Sequence, residues 1–274
     1  MASSVDLDEY YNVAVKLAKS AGEIIRKAID KEKSIEIKTS NVDLVTETDK
    51  KVEDLLKKGF LESFPDHCFI GEESPGCNLT DAPTWIIDPV DGTMNFLCIG
   101  AYPYNAVSIG FAVNKEIVLG VVYNAILDRM YTGIKGKGAY CNDKKLHVSG
   151  IQELSQALVL SEVGSDRSSK NLEQIFTNIK TIVDKAHGLR MMGSAALNMC
   201  AVAAGEADVY FEYTIHCWDM AAAKIIVEEA GGVCIDPEGG DLDLMSRRVL
   251  CGSSKELVET LTKELKHLQF PQDE

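Results

Sequence analysis

Apolar side chains at Tyr10, Ala14, Leu17, Ala21, Ile24, Ile25 and Ala28 recur at helical spacing, which predicts a helix from about Leu7 to Ile29. A second helix is expected from about Thr46 to Phe64, with Val52, Leu55, Leu56 and Phe60 as its buried stripe. Its opening, Thr46-Glu47-Thr48-Asp49, suits a helix start, because hydroxyl and carboxylate groups satisfy the orphan amides of a first turn. Between the helices, Ser34 to Lys38 alternates like a strand. Beyond residue 88 the period changes to two. Residues 105–113, 116–124 and 129–134 read as consecutive strands, separated by turns at Asn114-Lys115 and Leu127-Asp128. Gly136-Lys137-Gly138-Ala139-Tyr140 lacks the third glycine of a dinucleotide loop and follows hairpins, so it reads as a turn.

The second half alternates. Strands are expected at Leu158–Leu160, Ala207–Tyr213, Gly232–Ile235 and Val249–Gly252. Helices are expected at about 169–186, Ser194–Ala204, Met220–Ala230 and Lys255–Leu268, with a frayed tail at Gln269–Glu274. An antiparallel first half and an alternating second half predict an α/β or α+β sandwich with helices covering sheets. Residues 1–274 are expected to form a single domain, its antiparallel-sheet half at about 1–150 and its α/β half at about 151–268.

Composition narrows the partners. The 274 residues, 46% hydrophobic and 26% charged, can bury a sizeable core. A net charge of −14 argues against nucleic acid or an anionic membrane. An acidic chain that holds an anionic substrate needs local positive charge, which bound metal could supply. The eight cysteines show neither C-x-x-C pairs nor zinc spacing and read as small buried hydrophobes in a reducing compartment. The start carries no signal-peptide pattern, and no apolar run approaches the ~20 residues that span a bilayer, so a cytoplasmic protein is expected.

The chemistry concentrates in Trp85-Ile86-Ile87-Asp88-Pro89-Val90-Asp91-Gly92-Thr93, an apolar strand that ends in two carboxylates and turns through glycine into a threonine. Carboxylates at the end of a buried strand are costly unless paired, and Mg²⁺ is the natural partner because it prefers oxygen ligands. Two further acidic sites echo this one. Gly71-Glu72-Glu73 follows the apolar Cys68-Phe69-Ile70, and Trp218-Asp219 opens an alanine-rich helix. Asp219 alone would be only a helix cap, and one of Glu72 and Glu73 only a solvated carboxylate. Together the three sites suit a two-metal centre that clamps the attacking and leaving oxygens of a phosphoryl displacement. A helix starting at Gly92-Thr93 would point free amides at a phosphate.

These residues carry a resemblance to the inositol monophosphatases, a Mg²⁺-dependent, lithium-sensitive phosphatase family. Its metal motif is similar to Asp88-Pro89-Val90-Asp91-Gly92-Thr93, with Gly71-Glu72-Glu73-Ser74 upstream and His216-Cys217-Trp218-Asp219 downstream matching its other motifs in order. The similarity extends over nearly the whole chain. It implies a layered αβαβα sandwich, a homodimer, and hydrolysis of inositol monophosphate by direct attack of a metal-activated water. By motif matching, Glu72, Asp88 and the Val90 carbonyl would hold one Mg²⁺, and Asp88, Asp91 and Asp219 a second. A third, weaker ion would sit near Glu72, giving two to three per site. Catalytic roles fall to Thr93, Glu72 and Asp49, with Thr93 activating the water beside Asp49. Gly92 and Thr93 amides would bind phosphate, and Gly193, Ser194, Ala195 and Glu212 the sugar. Glu73 and Lys38 match supporting positions beside the metals. The segments 74–84 and 97–102 and the residue Met94 depart from the family pattern, whereas the metal-binding set is intact.

The rival of the same architecture is a bisphosphate nucleotidase or another sugar phosphatase, which should demand more Lys and Arg than Arg167, Lys170 and Arg190. A catalytically silent, metal-dependent scaffold is the rival of a different class. The intact set Glu72, Asp88, Asp91, Thr93 and Asp219 argues against it.

Overall fold

The structure is a computed structural model that describes residues 7–29, 35–40, 43–74, 78–98 and 102–273. These residues form five layers. The outermost holds helices α1 (Leu7–Ala28) and α2 (Glu47–Ser63), with a hairpin of β1 (Ile35–Ser40) and β2 (Asp43–Thr46) leading into α2. Thr46 caps α2: its hydroxyl accepts from the Thr48 and Asp49 amides, and the Asp49 carboxylate returns to the Thr46 amide. The capping box places this helix within a residue of its expected start.

Next lies a seven-stranded sheet in sequential order: β3 (Cys68–Gly71), β4 (Thr84–Asp91), β5 (Ala106–Val113), β6 (Glu116–Asn124), β7 (Arg129–Ile134), β8 (Gly138–Cys141) and β9 (Lys144–Lys145). The turn between β5 and β6 sets both Asn114 and Lys115 at positive φ, the geometry that tight hairpins favour. Two local expectations need correction. Gly138–Cys141 is a strand, so only the start of the 136–140 segment turns. The pairing of β3 with β4 is parallel, because a crossover joins them instead of a hairpin.

The second half supplies α4 (Ser169–Lys185), α5 (Ala195–Ala203), α6 (Cys217–Glu229) and α7 (Lys255–Glu264), after the short α3 (Thr93–Leu97) in the first half. Its five-stranded sheet is mixed and consists of β10 (Leu158–Ser161), β11 (Gly188–Arg190), β12 (Val209–Tyr213), β13 (Val233–Ile235) and β14 (Arg248–Gly252), in the spatial order β11-β10-β12-β14-β13. Helices α5 and α6 fill the space between the two sheets, and α4 and α7 cover the far face. Strand alternation serves both sides: Trp85 and Ile87 face α1 and α2, while Ile86 faces α5 and α6. Strands buried on both faces read as continuous apolar runs, which is why β4 shows no polar alternation.

Helix α6 lies unusually close to its sheet. Gly110, Gly120 and Gly133 pair in one row across β5, β6 and β7. A Cβ at Gly120 would stand 2.1 Å from the Ala222 carbonyl oxygen, and one at Gly133 2.9 Å from Ile226 Cα. The row therefore brings the α6 backbone against the strands. The tail is also a correction to expectation. Residues 269–273 are tied down, with Gln269 donating to Glu238 at 2.6 Å and Gln272 to Asp243 at 2.7 Å.

Candidate active site

The site forms where the ends of β3 and β4 meet the starts of α3, α5 and α6. In a regular strand, side chains three residues apart point to opposite faces. Asp88 pairs with Ser108 and Asp91 with Ala106, so three steps on β4 oppose two on β5. This bulge at Pro89-Val90 returns both carboxylates to one side, and proline is tolerated there because a bulge leaves an unpaired backbone position. In the parallel register Gly71 pairs with Ile87, and the Glu72 amide donates to the Ile87 carbonyl at 3.3 Å. Glu72 thus arrives beside Asp88.

From the other half, α6 brings Asp219 to the cluster. Carboxylate oxygens of Asp88, Asp91 and Asp219 all lie within 4.8 Å of one another. Asp219 is the third residue of α6, not its opening residue as the sequence reading has it. Its carboxylate accepts from the His216 amide at 2.6 Å, so it caps the helix and belongs to the cluster at once. Asp91 accepts from the Ala195 amide at 3.1 Å, the Ala196 amide at 2.9 Å and the Ser194 hydroxyl, which seats it on the first turn of α5.

Three acids at this spacing resist ionising together. Burial, then the charges of Glu72, Asp91 and Asp219, push Asp88 well above the usual carboxylate range. Burial and the Asp219 charge raise Asp91 to about 8, against its three hydrogen-bond donors. Burial raises Asp219 as well, opposed by His216. Among the ion pairs of the described residues, none falls on Asp88, Asp91 or Asp219. An all-oxygen set, buried at Asp88 and Asp91 and half-buried at Asp219, fits a hard divalent ion.

A pH dependence follows for the metal-free chain. The folded form retains a proton on Asp91 from its usual 3.8 up to about 8, where the unfolded form has lost it. Stability from this group is therefore full below the unfolded value and lost as pH rises through about 8. The Tm increment on adding Mg²⁺ should grow between pH 5 and pH 8, reaching roughly 5–10 °C at about a hundred times Kd. Thermal scans with and without chelator check it. A constant increment across this range would contradict the coupling.

Around the cluster stands a cavity of about 510 Å³, lined by Glu72, Asp91, Gly92, Thr93, Gly193, Ser194, Ala195, Glu212 and Asp219, with Glu162, Arg167, His216 and Trp218 among its other walls. The Thr93 hydroxyl stands 3.0 Å from the Val90 carbonyl and 3.3 Å from Asp49 Oδ1. Asp49 is fully buried. Gly92 has φ +85°, and a Cβ there would stand 2.9 Å from the carbonyl oxygens of both Gly193 and Tyr104. Glu212 is buried on β12 and accepts from the Tyr210 hydroxyl, and burial with the nearby Glu162 charge keeps its carboxyl well above the ordinary range. The Glu73 amide donates to Glu53 at 2.8 Å. Lys38 is on β1, and its side chain lies outside the described residues.

Three organising residues escaped the sequence reading. Buried Glu53 holds the 73–74 turn through the Glu73 amide and the Ser74 hydroxyl. Asn95 donates to the carbonyls of Tyr104 at 2.7 Å and Met192 at 2.8 Å, fastening α3 to the 192–193 turn. Glu162 accepts from the Met192 amide at 2.6 Å, the Gly193 amide at 2.7 Å and Asn198 at 2.9 Å. Each reaches a partner at least 20 residues away in the chain, and no local pattern marks any of them.

This arrangement has close relatives. The inositol monophosphatase family matches residues 6–269. Bovine inositol monophosphatase 1 is 50% identical over 271 residues, covering 97% of each chain. Human inositol monophosphatase 2 is 47% identical over 272 residues, covering 97% of this chain and 94% of the other. Among solved structures, the extragenic suppressor protein suhB of Bartonella henselae superposes with a TM-score of 0.86 at 30% identity, over 94% of this chain and 98% of that one. These relatives match the chain almost end to end, and the chain belongs to the inositol monophosphatase family.

Proposed function

We propose that the chain hydrolyses inositol monophosphate to myo-inositol and phosphate at the carboxylate cluster, using Mg²⁺. The observation that carries this reading is one cavity lined by Asp91, Asp219, Thr93 and Glu212, with Asp88 completing the acid cluster and Asp49 bound to the Thr93 hydroxyl. Glu72, Asp88 and the Val90 carbonyl would hold one ion, and Asp88, Asp91 and Asp219 another, with a third near Glu72. Bound there, Mg²⁺ would offset the acid–acid repulsion, polarise the phosphate oxygens and make water more acidic. The chain's own groups do the rest. Thr93 orients the attacking water through its hydroxyl, and Asp49 receives the proton that Thr93 passes on. Gly92 and Thr93 amides face the phosphate where no Cβ intrudes. No serine or cysteine nucleophile is required, so the attack is direct.

Glu212 is assigned to the inositol hydroxyls, with Gly193, Ser194 and Ala195 forming the adjoining wall. Glu212→Gln should raise KM for inositol 1-phosphate roughly threefold to tenfold while leaving kcat less affected, since a hydrogen bond to a hydroxyl contributes about 0.5–1.5 kcal/mol. Steady-state kinetics on the variant check this, and an unchanged KM would remove Glu212 from the sugar pocket. Glu162 and Glu212 would repel a second phosphate in the same wall, which disfavours a bisphosphate nucleotidase. Glu73 and Lys38 are assigned supporting places beside the metals.

The cavity draws Thr93 from the first half and Glu212 and Asp219 from the second, which supports residues 1–274 acting as one domain. The described helices include none long and apolar enough to cross a membrane. A cytoplasmic homodimer is proposed with this reading, and the seven described cysteines, all free thiols, suit a reducing compartment. The test is phosphate release from inositol 1-phosphate and 3′-phosphoadenosine 5′-phosphate, side by side, with and without Mg²⁺. Magnesium-dependent release from the inositol ester alone is expected. Preference for the nucleotide would overturn the substrate, and release from neither would overturn the enzyme.

A further inference from the structure

Residues 265–273 run to the first turn of α6. Leu265 and Leu268 are buried, Arg248 donates to the Leu268 carbonyl at 2.9 Å, and the Asp273 amide donates to the Met245 carbonyl at 2.9 Å. This path delivers the Asp273 carboxylate, its side chain only 9% exposed, to the first turn of α6. There it accepts from the Cys217 amide at 3.0 Å and meets His216 Nδ1 at 2.6 Å. Arg247 Nη2 stands 3.2 Å from the other ring nitrogen, His216 Nε2. Arginine can only donate, so Nε2 accepts and Nδ1 carries the proton given to Asp273.

The same turn faces the cavity from its other side. The His216 ring stacks on Trp218, with centroids 4.6 Å apart and planes at 8°, and both residues line the cavity. One residue further on is Asp219, itself held by the His216 amide. A helix start has amides to satisfy, and here the Cys217 amide is met from 56 residues away.

We infer that Asp273 is a positioning residue of the active site: from the tail it clamps the first turn of α6, and so sets where Asp219 and the His216–Trp218 pair meet metal and substrate. The inference rests on the function proposed above. Groups that orient metal ligands from behind typically change metal affinity 10–100-fold when removed.

The experiment compares the full chain with Asp273→Ala and Asp273→Asn. Mg²⁺ titration calorimetry on chelator-stripped protein is run beside phosphate release from inositol 1-phosphate. Asp273→Ala should raise the half-saturating Mg²⁺ concentration about tenfold in both measurements, more than it lowers turnover at saturating metal. Asp273→Asn should fall between, because its amide oxygen still accepts from Cys217. Titrations identical to the unaltered chain, with only a lower Tm, would reduce Asp273 to a stabilising contact and overturn the inference. Should Asp273→Ala fail to fold, Asp273→Asn is read against the same two outcomes. If the unaltered chain releases no phosphate, the proposed function fails, and calorimetry alone decides the clamp.

Discussion

Asp88→Asn is expected to abolish phosphate release, by on the order of a thousandfold or more, while the protein stays folded. The loss follows from the place of Asp88 between Glu72 on one side and Asp91 and Asp219 on the other. An amide offers neither the charge nor the second equivalent oxygen that two neighbouring cations would share, and charge stabilisation by such ions amounts to several kcal/mol of barrier. Folding should survive for a separate reason. The Val90 amide donates to Asp88 Oδ1 at 2.9 Å, and an asparagine oxygen can accept the same bond. Removing one of three mutually repelling acids should also leave the metal-free Tm equal or higher. Phosphate release with saturating Mg²⁺ and a thermal scan in chelator test both halves. Near-normal turnover would refute the assignment of the metal cluster.

Gly92→Ala is expected to cost activity at least about a hundredfold, the scale on which ångström-sized misplacements act. The added methyl group would stand 2.9 Å from two backbone oxygens, those of Gly193 and Tyr104, neither of which can swing aside like a side chain. The residue also sits at φ +85°, where a non-glycine backbone costs about 1–3 kcal/mol. To relieve the contact, α3 must move away from the 192–193 turn and carry Thr93 away from Asp49. A lower Tm together with lost turnover would match this account. A variant with normal kcat would mean that the loop adapts without displacing Thr93.

Much of the architecture was legible because its signals are local. Thr46 and Asp49 announced α2 through residues three apart, and Asn114-Lys115 marked a hairpin whose strands ended where expected. The strand-end motifs were legible because acids after apolar runs are chemically anomalous. Less visible was everything that depends on a partner distant in sequence. The bulge that aligns Asp88 with Asp91 exists only relative to β5. The parallel pairing that brings Glu72 to Asp88 exists only once β3 lies beside β4. Helix α6 begins three residues before its expected start, because its first turn is capped by the Asp219 carboxylate and by Asp273 in the tail, not by a recognisable N-cap side chain. Glu53, Asn95 and Glu162 look like ordinary polar residues until their backbone partners arrive from elsewhere. The roles of Gly193, Ser194, Ala195 and Glu212 came from the resemblance, since nothing in their spacing marks a sugar pocket.

Asp49 divides its two oxygens between different tasks. One closes the N-terminus of α2 on Thr46, and the other receives the Thr93 hydroxyl. The proposed proton acceptor is therefore also a hinge pin of the outermost helical layer. Loosening of that helix on warming would release the carboxylate from its post before the central layers melt. The working temperature range of the enzyme would then be set by the fraying of a surface helix, and catalytic rate would serve as a local thermometer for α2.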